Sequence, residues 1–209
     1  MLEEIEFVKP EDIEARSMEL IEKELDGRTW PEPEALVVKR CIHTSADFDY
    51  ADQLYFSPGA VSRALKLLKD GAHIITDTKM AAAGINKKRL AALGGQVHCF
   101  MDDPEVAREA KERGITRSAV CMERGSQIPG TPIFAIGNAP TALIRLYELL
   151  REGKVHPGLI IGVPVGFVNV VESKELIIRT DAACIVARGR KGGSNIAAAI
   201  CNALIYQCK

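Results

Sequence analysis

Short apolar runs alternate with helix-forming segments along this chain, and that alternation constrains its fold more than any other feature. Six runs are predicted to be strands, at about residues 52–56, 73–76, 96–100, 132–137, 159–163 and 182–186. The clearest of them are continuously apolar, which is typical of parallel strands that are buried on both faces. Since the 209 residues contain no internal repeat and no long linker, the pattern predicts one doubly wound α/β domain, residues 1–209, with a mainly parallel sheet.

Two helices are predicted before the first strand, within an amino-terminal helical segment of about residues 10–47. The first covers about Asp12–Leu25, and Gly27 favours its end. Its predicted buried stripe consists of Ile13, Leu20, Ile21 and Leu25. After the first strand, Ser57 is predicted to cap a helix whose first residue is Pro58.

The stretch Arg40–Asp47 places a guanidinium, a thiol, an imidazole and a carboxylate close together. On a helix, which the flanking residues favour, Arg40, His43 and Asp47 share one face. On a strand, the remaining alternative, Cys41 and His43 share a face and Arg40 points away. His43 is a candidate general acid or base, because an imidazole exchanges a proton near neutral pH. A capping or salt-bridged histidine is the competing interpretation, and a Cys41–His43 nucleophilic pair is less favoured because these residues do not face each other on a helix.

Cationic groups at predicted helix starts favour an anionic ligand. Arg117 follows Thr116 at the start of one helix, and the glycine-rich loop Gly189–Ser194, which contains Lys191, precedes the last helix. A simple exposed arginine is the alternative for Arg117. The loop does not match G-x-x-x-x-G-K-[ST], and no G-x-G-x-x-G turn follows the first strand, which weakens a nucleotide-binding interpretation.

Composition indicates which partners and compartments fit the chain. The 27 basic and 28 acidic residues nearly balance and form no Lys/Arg block, which argues against a nucleic-acid partner. The six cysteines form no C-x-x-C pair, so we expect reduced thiols and no zinc or other protein-bound metal. No apolar run reaches the ~18 residues of a membrane span. The acidic start Met1–Glu6 is unlike a signal peptide, so a cytoplasmic location is expected.

Five stretches, in order along the chain, resemble the precorrin-8X methylmutase family, also called cobalt-precorrin-8 methylmutases, of cobalamin biosynthesis. They are Arg40–Phe48, Thr116–Ala119, Ile136–Leu143, Gly162–Val168 and Gly189–Ser194. The resemblance implies a flavodoxin-like, three-layer α/β/α sandwich that forms a homodimer. It implies an isomerase that moves a methyl group from C11 to C12 of the tetrapyrrole, giving hydrogenobyrinate or its cobalt counterpart.

The same resemblance assigns roles to individual residues. His43 would protonate and later deprotonate the macrocycle around a 1,5-sigmatropic methyl shift, a reaction that needs no redox cofactor and no protein-bound metal. The family's substrate contacts map to Ser17, Arg40 and Arg117, and Lys191 suits the carboxylate arms of a corrinoid. Taken alone, Ser17 is simply a solvated helix hydroxyl. Two alternatives remain at this level: a non-catalytic corrinoid carrier, and a nucleotide-binding enzyme that uses the glycine-rich loop.

Overall fold

The structure is a computed structural model that describes residues 5–208. Residues 1–4 and Lys209 lie outside that range, and so does most of the acidic start considered above. The described helices are α1 (Ile13–Glu24), α2 (Glu32–Ser45), α3 (Tyr50–Gln53), α4 (Ala60–Lys69), α5 (Lys79–Gly84), α6 (Lys87–Ala92), α7 (Pro104–Arg113), α8 (Arg117–Gly125), α9 (Pro140–Arg151), α10 (Val170–Ile178) and α11 (Ser194–Gln207). The described strands are β1 (Leu54–Phe56), β2 (Ile74–Thr76), β3 (Val97–His98), β4 (Ile133–Ile136), β5 (Leu159–Gly162) and β6 (Cys184–Ala187).

The strands form one mixed, mostly parallel sheet in the order β1-β6-β5-β4-β2-β3. The edge strand β1 runs antiparallel to β6, and the other neighbouring strands pair in parallel. β3 and β4 lie on opposite sides of β2, so the direction in which strands are added reverses between β2 and β4. Loops that leave the carboxyl ends of these two strands therefore diverge, which is where ligands bind in open α/β sheets.

Both faces of the sheet are covered, as the continuously apolar strands predict. Successive side chains of a strand point to opposite faces, so each central strand contributes to two separate cores. The first core joins one set of strand side chains to α2, α4 and α11, and it includes Ile74, Ile133 and Ile161. The second joins the alternate set to α7, α8 and α9, and it includes Ile75, Phe134 and Ile160. The predicted α/β class is confirmed.

The first strand begins later than predicted. Residues Tyr50–Gln53 form the short helix α3, in which the Gln53 amide donates to the Asp49 carbonyl at 2.9 Å. This helical turn uses backbone groups that a longer strand would need, so β1 starts only at Leu54. The apolar run therefore predicted correctly where this strand ends, at Phe56, but not where it begins.

The prediction that Ser57 caps the following helix is wrong. The Ser57 hydroxyl accepts a hydrogen bond from the Cys184 amide at 2.8 Å, and the Ser57 amide donates to the Cys184 carbonyl at 2.9 Å. Helix α4 instead begins at Ala60, after Gly59 with φ of 71°. The antiparallel pairing of β1 with β6 extends past Phe56 and engages the Ser57 hydroxyl, which is the group that a helix cap would have used.

The predicted buried stripe of α1 is half right. Ile21 and Leu25 are buried, whereas Ile13 and Leu20 are 54% and 47% exposed. α1 packs mainly against α2, and a single neighbouring helix covers only a narrow stripe of its surface. Burying the wider predicted stripe would require a second neighbouring element, and none covers Ile13 and Leu20 within the described residues.

Asp77, directly after β2, joins the two diverging loops. Its carboxylate is fully buried and accepts three backbone hydrogen bonds, from the amides of Gly137, Asn138 and Ala139, at 2.7–2.8 Å. These amides precede α9, so the carboxylate also lies at the positive end of that helix. Burial, the largest influence, raises the pKa of Asp77, and the three donors act in the opposite direction. The charge is thus solvated by backbone alone.

We predict that Asp77→Asn lowers the free energy of unfolding by about 3 kcal/mol, since an amide has one acceptor oxygen and turns its own NH₂ toward the three donors. Urea unfolding measures the change. Asp102→Asn is the matched control, because Asp102 is exposed and pairs with the exposed Lys79. A loss no larger than that of the control would contradict the assigned role of Asp77.

Candidate functional site

The stretch that carries Arg40 and His43 is helical, and the strand alternative is wrong. α2 buries Val37, Val38, Cys41 and Ile42. Cys41 has no exposed surface, and burial raises the pKa of its thiol. A nucleophilic cysteine requires an accessible thiolate, so the structure gives Cys41 a place in the core and leaves Arg40 and His43 on the outer side of the helix.

His43 differs from the other three histidines in its position. It is exposed on the last turn of α2. Lys191, in the loop that leaves the carboxyl end of β6, binds Asp47 just beyond this turn, which places the turn at the carboxyl edge of the sheet.

His73 and His98 form a half-buried pair, in which Nδ1 of His73 lies 3.1 Å from Nε2 of His98. Burial lowers the pKa of His98. His156 is exposed but precedes β5, at the amino edge. His98 ends β3 at the carboxyl edge but is half-buried, so among the four histidines, all of which lie in the described range, His43 is the exposed one at that edge.

Arg40 is oriented by two neighbours. Its Nη2 is ion-paired with Oε1 of Glu14 on α1, and its guanidinium lies 5.6 Å from the centre of the Tyr206 ring. Ser17 lies one turn after Glu14, and its hydroxyl donates to the Ile13 carbonyl at 2.8 Å. The structure therefore brings Ser17 and Arg40 to the same side of the α1–α2 pair, where the Arg40 guanidinium is bound by the Glu14 carboxylate.

Asp47 does not share the helix face of His43, contrary to the prediction from helical spacing. α2 ends at Ser45, and Ala46 takes a left-handed conformation with φ of 52°, so Asp47 leaves the helix face. The Asp47 carboxylate instead accepts a hydrogen bond from Nζ of Lys191 at 2.6 Å, and this contact lowers its pKa. A second oxygen accepts from the Asp49 amide at 3.0 Å.

Lys191 joins the glycine-rich loop to the end of α2. Its Nζ lies 2.6 Å from Oδ2 of Asp47 and 2.6 Å from Oδ2 of Asp49, and these carboxylates raise its pKa. The loop lies tightly on the one that follows β5, because a Cβ at Gly192 would be 2.1 Å from the Val163 carbonyl oxygen. The glycine there permits a close approach of two backbones.

Sequence reasoning missed Lys174, which supports the Gly189–Ser194 loop from its buried side. It is fully buried in α10, and its Nζ donates to the carbonyls of Gly189 and Lys191 at 2.8 and 2.7 Å. A signal was available, since Lys174 lies at helical spacing between the buried residues Val170 and Ile177. A lysine on the apolar face of a helix indicates a buried amine.

Arg117 is not part of the cluster around His43. It is exposed at the start of α8, where the Thr116 hydroxyl accepts from the Ala119 amide at 3.2 Å. α8 packs against the second core, whereas α2 packs against the first. Within residues 5–208, no hydrogen bond joins Arg117 to Arg40 or His43.

The side chains at this site supply an imidazole, a hydroxyl and two paired cations, Arg40 and Lys191. Across residues 5–208, no group of three or more His, Cys, Asp or Glu side chains is placed to hold a metal ion. Within the same range, no helix is both long enough and apolar enough to cross a membrane. The arrangement suits a ligand with several carboxylates that also receives or gives up a proton.

Known proteins resemble the chain over nearly its whole length. The family model described as precorrin-8X methylmutase matches residues 12–207. A cobalt-precorrin-8 methylmutase of Priestia megaterium is 39% identical, over 94% of this chain and 88% of that protein. One of Salmonella typhimurium is 42% identical, over 96% and 97%. The crystal structure of a Thermus thermophilus precorrin-8x methyl mutase superposes with a TM-score of 0.86 at 36% identity, covering 94% of this chain and 97% of the other.

Proposed function

Since the chain belongs to the precorrin-8X methylmutase family, and is therefore an isomerase of corrin biosynthesis, we propose that it moves a methyl group from C11 to C12 of precorrin-8 or its cobalt form, with His43 as proton donor and acceptor. The observation that carries the role of His43 is its exposed position at the carboxyl edge beside Arg40. The product would be hydrogenobyrinate or its cobalt counterpart.

In this mechanism the bond from the methyl carbon to C11 breaks as the bond to C12 forms, so the ring system is rearranged without gain or loss of atoms. His43 gives one proton to the macrocycle and later takes one back, so no net proton is consumed. Electrons stay within the tetrapyrrole, and no redox partner is required. General acid–base assistance of this kind contributes roughly 10²–10⁴-fold, and holding the macrocycle in a reactive geometry supplies further acceleration.

Substrate binding would exchange one carboxylate at Arg40 for another. Arg40 is paired with Glu14, and Lys191 with Asp47 and Asp49. An acetate or propionate arm of the corrinoid would take the place of Glu14, and the Ser17 hydroxyl could donate to the same arm. Lys191 would keep both of its carboxylates and direct the third hydrogen of its ammonium group toward another arm. Such exchange is possible at modest cost because exposed ion pairs contribute only about 0–1 kcal/mol.

We further propose that the fold is a flavodoxin-like three-layer sandwich and that two copies form a homodimer. Counted along the chain, the five parallel strands lie in the order 2-1-3-4-5, which supports the flavodoxin-like class. The loop after β5 exposes the adjacent Phe167 and Val168 by 84% and 77%, with Val165 nearby at 46%, and a patch of neighbouring exposed apolar side chains is typical of an interface. A second copy would also be a source for Arg117, which one chain leaves apart from His43.

We predict that His43→Ala slows conversion of the substrate to the corrin by about 10²–10⁴-fold, because the proton relay is lost. The absorbance change of the pigment measures turnover, with cobalt-containing and metal-free substrate assayed in parallel. His156→Ala, at the opposite edge, is the matched control. Near-normal turnover of the His43 variant would contradict the assignment. Wild-type protein that binds the pigment and leaves its spectrum unchanged would be a carrier.

We predict that Arg40→Ala weakens binding of the corrin product by roughly 10- to 100-fold, the equivalent of one charge-assisted contact. Titration of product absorbance measures the affinity, and thermal melting reports the fold. Arg108→Ala is the control, since Arg108 also pairs with a glutamate but lies on α7. If affinity were unchanged while the melting temperature collapsed, Arg40 would be structural.

We predict that the protein sediments with about twice the 22.8 kDa mass of one chain, and that Phe167→Ser shifts it toward the monomer because it removes apolar contact area. Phe7→Ser is a matched control, because Phe7 is 83% exposed in an unrelated segment. Sedimentation velocity over a range of concentrations distinguishes the two species. A monomer at all concentrations would refute the dimer.

A further inference from the structure

Lys174 is a buried ammonium whose nearest polar partners are carbonyls and not carboxylates. It has no exposed surface, and its two hydrogen bonds go to the carbonyl oxygens of Gly189 and Lys191. Among the described residues it forms no salt bridge. Burial lowers the pKa of Lys174 to about 8, while the two carbonyl contacts favour the charged form.

Packing alone does not explain an amine at this position. A methionine would fill a similar volume among Val170 and Ile177 without the desolvation penalty that a buried charge carries. An ammonium group, unlike a methionine side chain, makes directional hydrogen bonds, and here these bonds hold two carbonyls of one turn at a defined separation. Its effect therefore falls on the backbone from Gly189 to Lys191.

The turn that Lys174 holds is joined to the loop after β5 by further backbone contacts. The Gly166 amide donates to the Arg190 carbonyl at 3.3 Å, and the Gly193 amide donates to the Val163 carbonyl at 2.9 Å. These contacts and the close approach at Gly192 keep the two loops together. Lys174 lies beneath both loops and links α10 to the Gly189–Lys191 turn from the buried side. On the exposed side, Glu175 of α10 pairs with Arg188, directly before the turn, at 3.5 Å.

The same turn presents Lys191 to the end of α2. Lys191 bonds to Asp47 and Asp49, which follow Ala46 in the turn after α2. Ala46 is in the left-handed region, where a residue other than glycine is strained. Ala46 lies within one helical turn of His43, so a shift of Lys191 would be transmitted to the helix that carries the imidazole.

We propose that Lys174 is a positioning residue for the methyl transfer: its ammonium fixes the Gly189–Lys191 turn and, through Lys191 and its contacts with Asp47 and Asp49, the end of α2 that carries His43. The proposal rests on the proposed function for its kinetic consequence. Its structural part, the order of the turn, is independent of that function.

The kinetic test compares Lys174→Met with Lys154→Met, a control in which an exposed lysine at the opposite edge of the sheet is changed. We expect Lys174→Met to lower kcat by about 10- to 100-fold, as displacement of catalytic groups does, and the control to match the wild type. Unchanged kcat and KM in a folded Lys174→Met protein would overturn the proposal.

A double-mutant cycle tests whether Lys174 acts through Lys191. Lys191→Met and Lys174→Met should each reduce kcat, and the double variant should be no slower than the slower single variant, because both changes break one chain of contacts. Independent losses that multiply in the double variant would show that Lys174 acts by another route and would overturn the proposal.

Amide hydrogen exchange provides a readout that needs no turnover. In Lys174→Met, exchange of the amides from Gly189 to Gly193 and of Ala46 should accelerate, while that of β4 stays as in the wild type. Unchanged exchange at the turn would overturn the proposal even if activity fell. If the methionine variant does not fold, Lys174→Arg replaces it, since it keeps donors at this position and should leave exchange at the turn slow. If wild-type protein shows no methyl transfer, the proposed function fails while the exchange result still decides the role of Lys174.

Discussion

A charge that is buried without a counter-ion must be solvated by the backbone, and two such charges organise the carboxyl edge of this sheet. Asp77 accepts three amides that precede α9, and Lys174 donates to two carbonyls of the turn after β6. Each charge adds buried hydrogen bonds to a loop at this edge. An unpaired buried charge is costly because it has lost its water. The loops therefore keep the conformations in which their backbone groups hydrogen-bond to these charges, and those conformations set the positions of the functional side chains nearby.

The charges outside the core follow a different rule. The cations suited to a polyanionic substrate, Arg40 and Lys191, are already paired with carboxylates at the surface. A substrate arm that replaces Glu14 at Arg40 restores a similar contact, so little is gained from charge alone. Affinity then depends on shape and on the number of arms engaged at once, and specificity for a corrinoid follows from matching several carboxylates together.

Local signals were enough to predict most elements but few contacts. Helix α2 was favoured by its helix-forming residues, and the buried strands by their continuous apolar runs. Errors arose where a distant segment competed for the same groups. Ser57 was assigned to a helix cap, but pairing with Cys184 claimed it. Asp47 was placed beside His43 by helical spacing, but α2 ends before it and Lys191 binds it.

The sequence by itself determined the α/β class, the helix that carries Arg40 and His43 on one face, and the family, because these depend on local periodicity and on residue identities in order. Only the tertiary structure decided the partners of the charged groups. Glu14 and Arg40 are 26 residues apart, and Asp47 and Lys191 are 144 apart. Such pairs form when packing of the helices on the sheet brings distant segments together. The helix around His43 could therefore be predicted from the sequence, but the ionic contacts that hold its end in place could not.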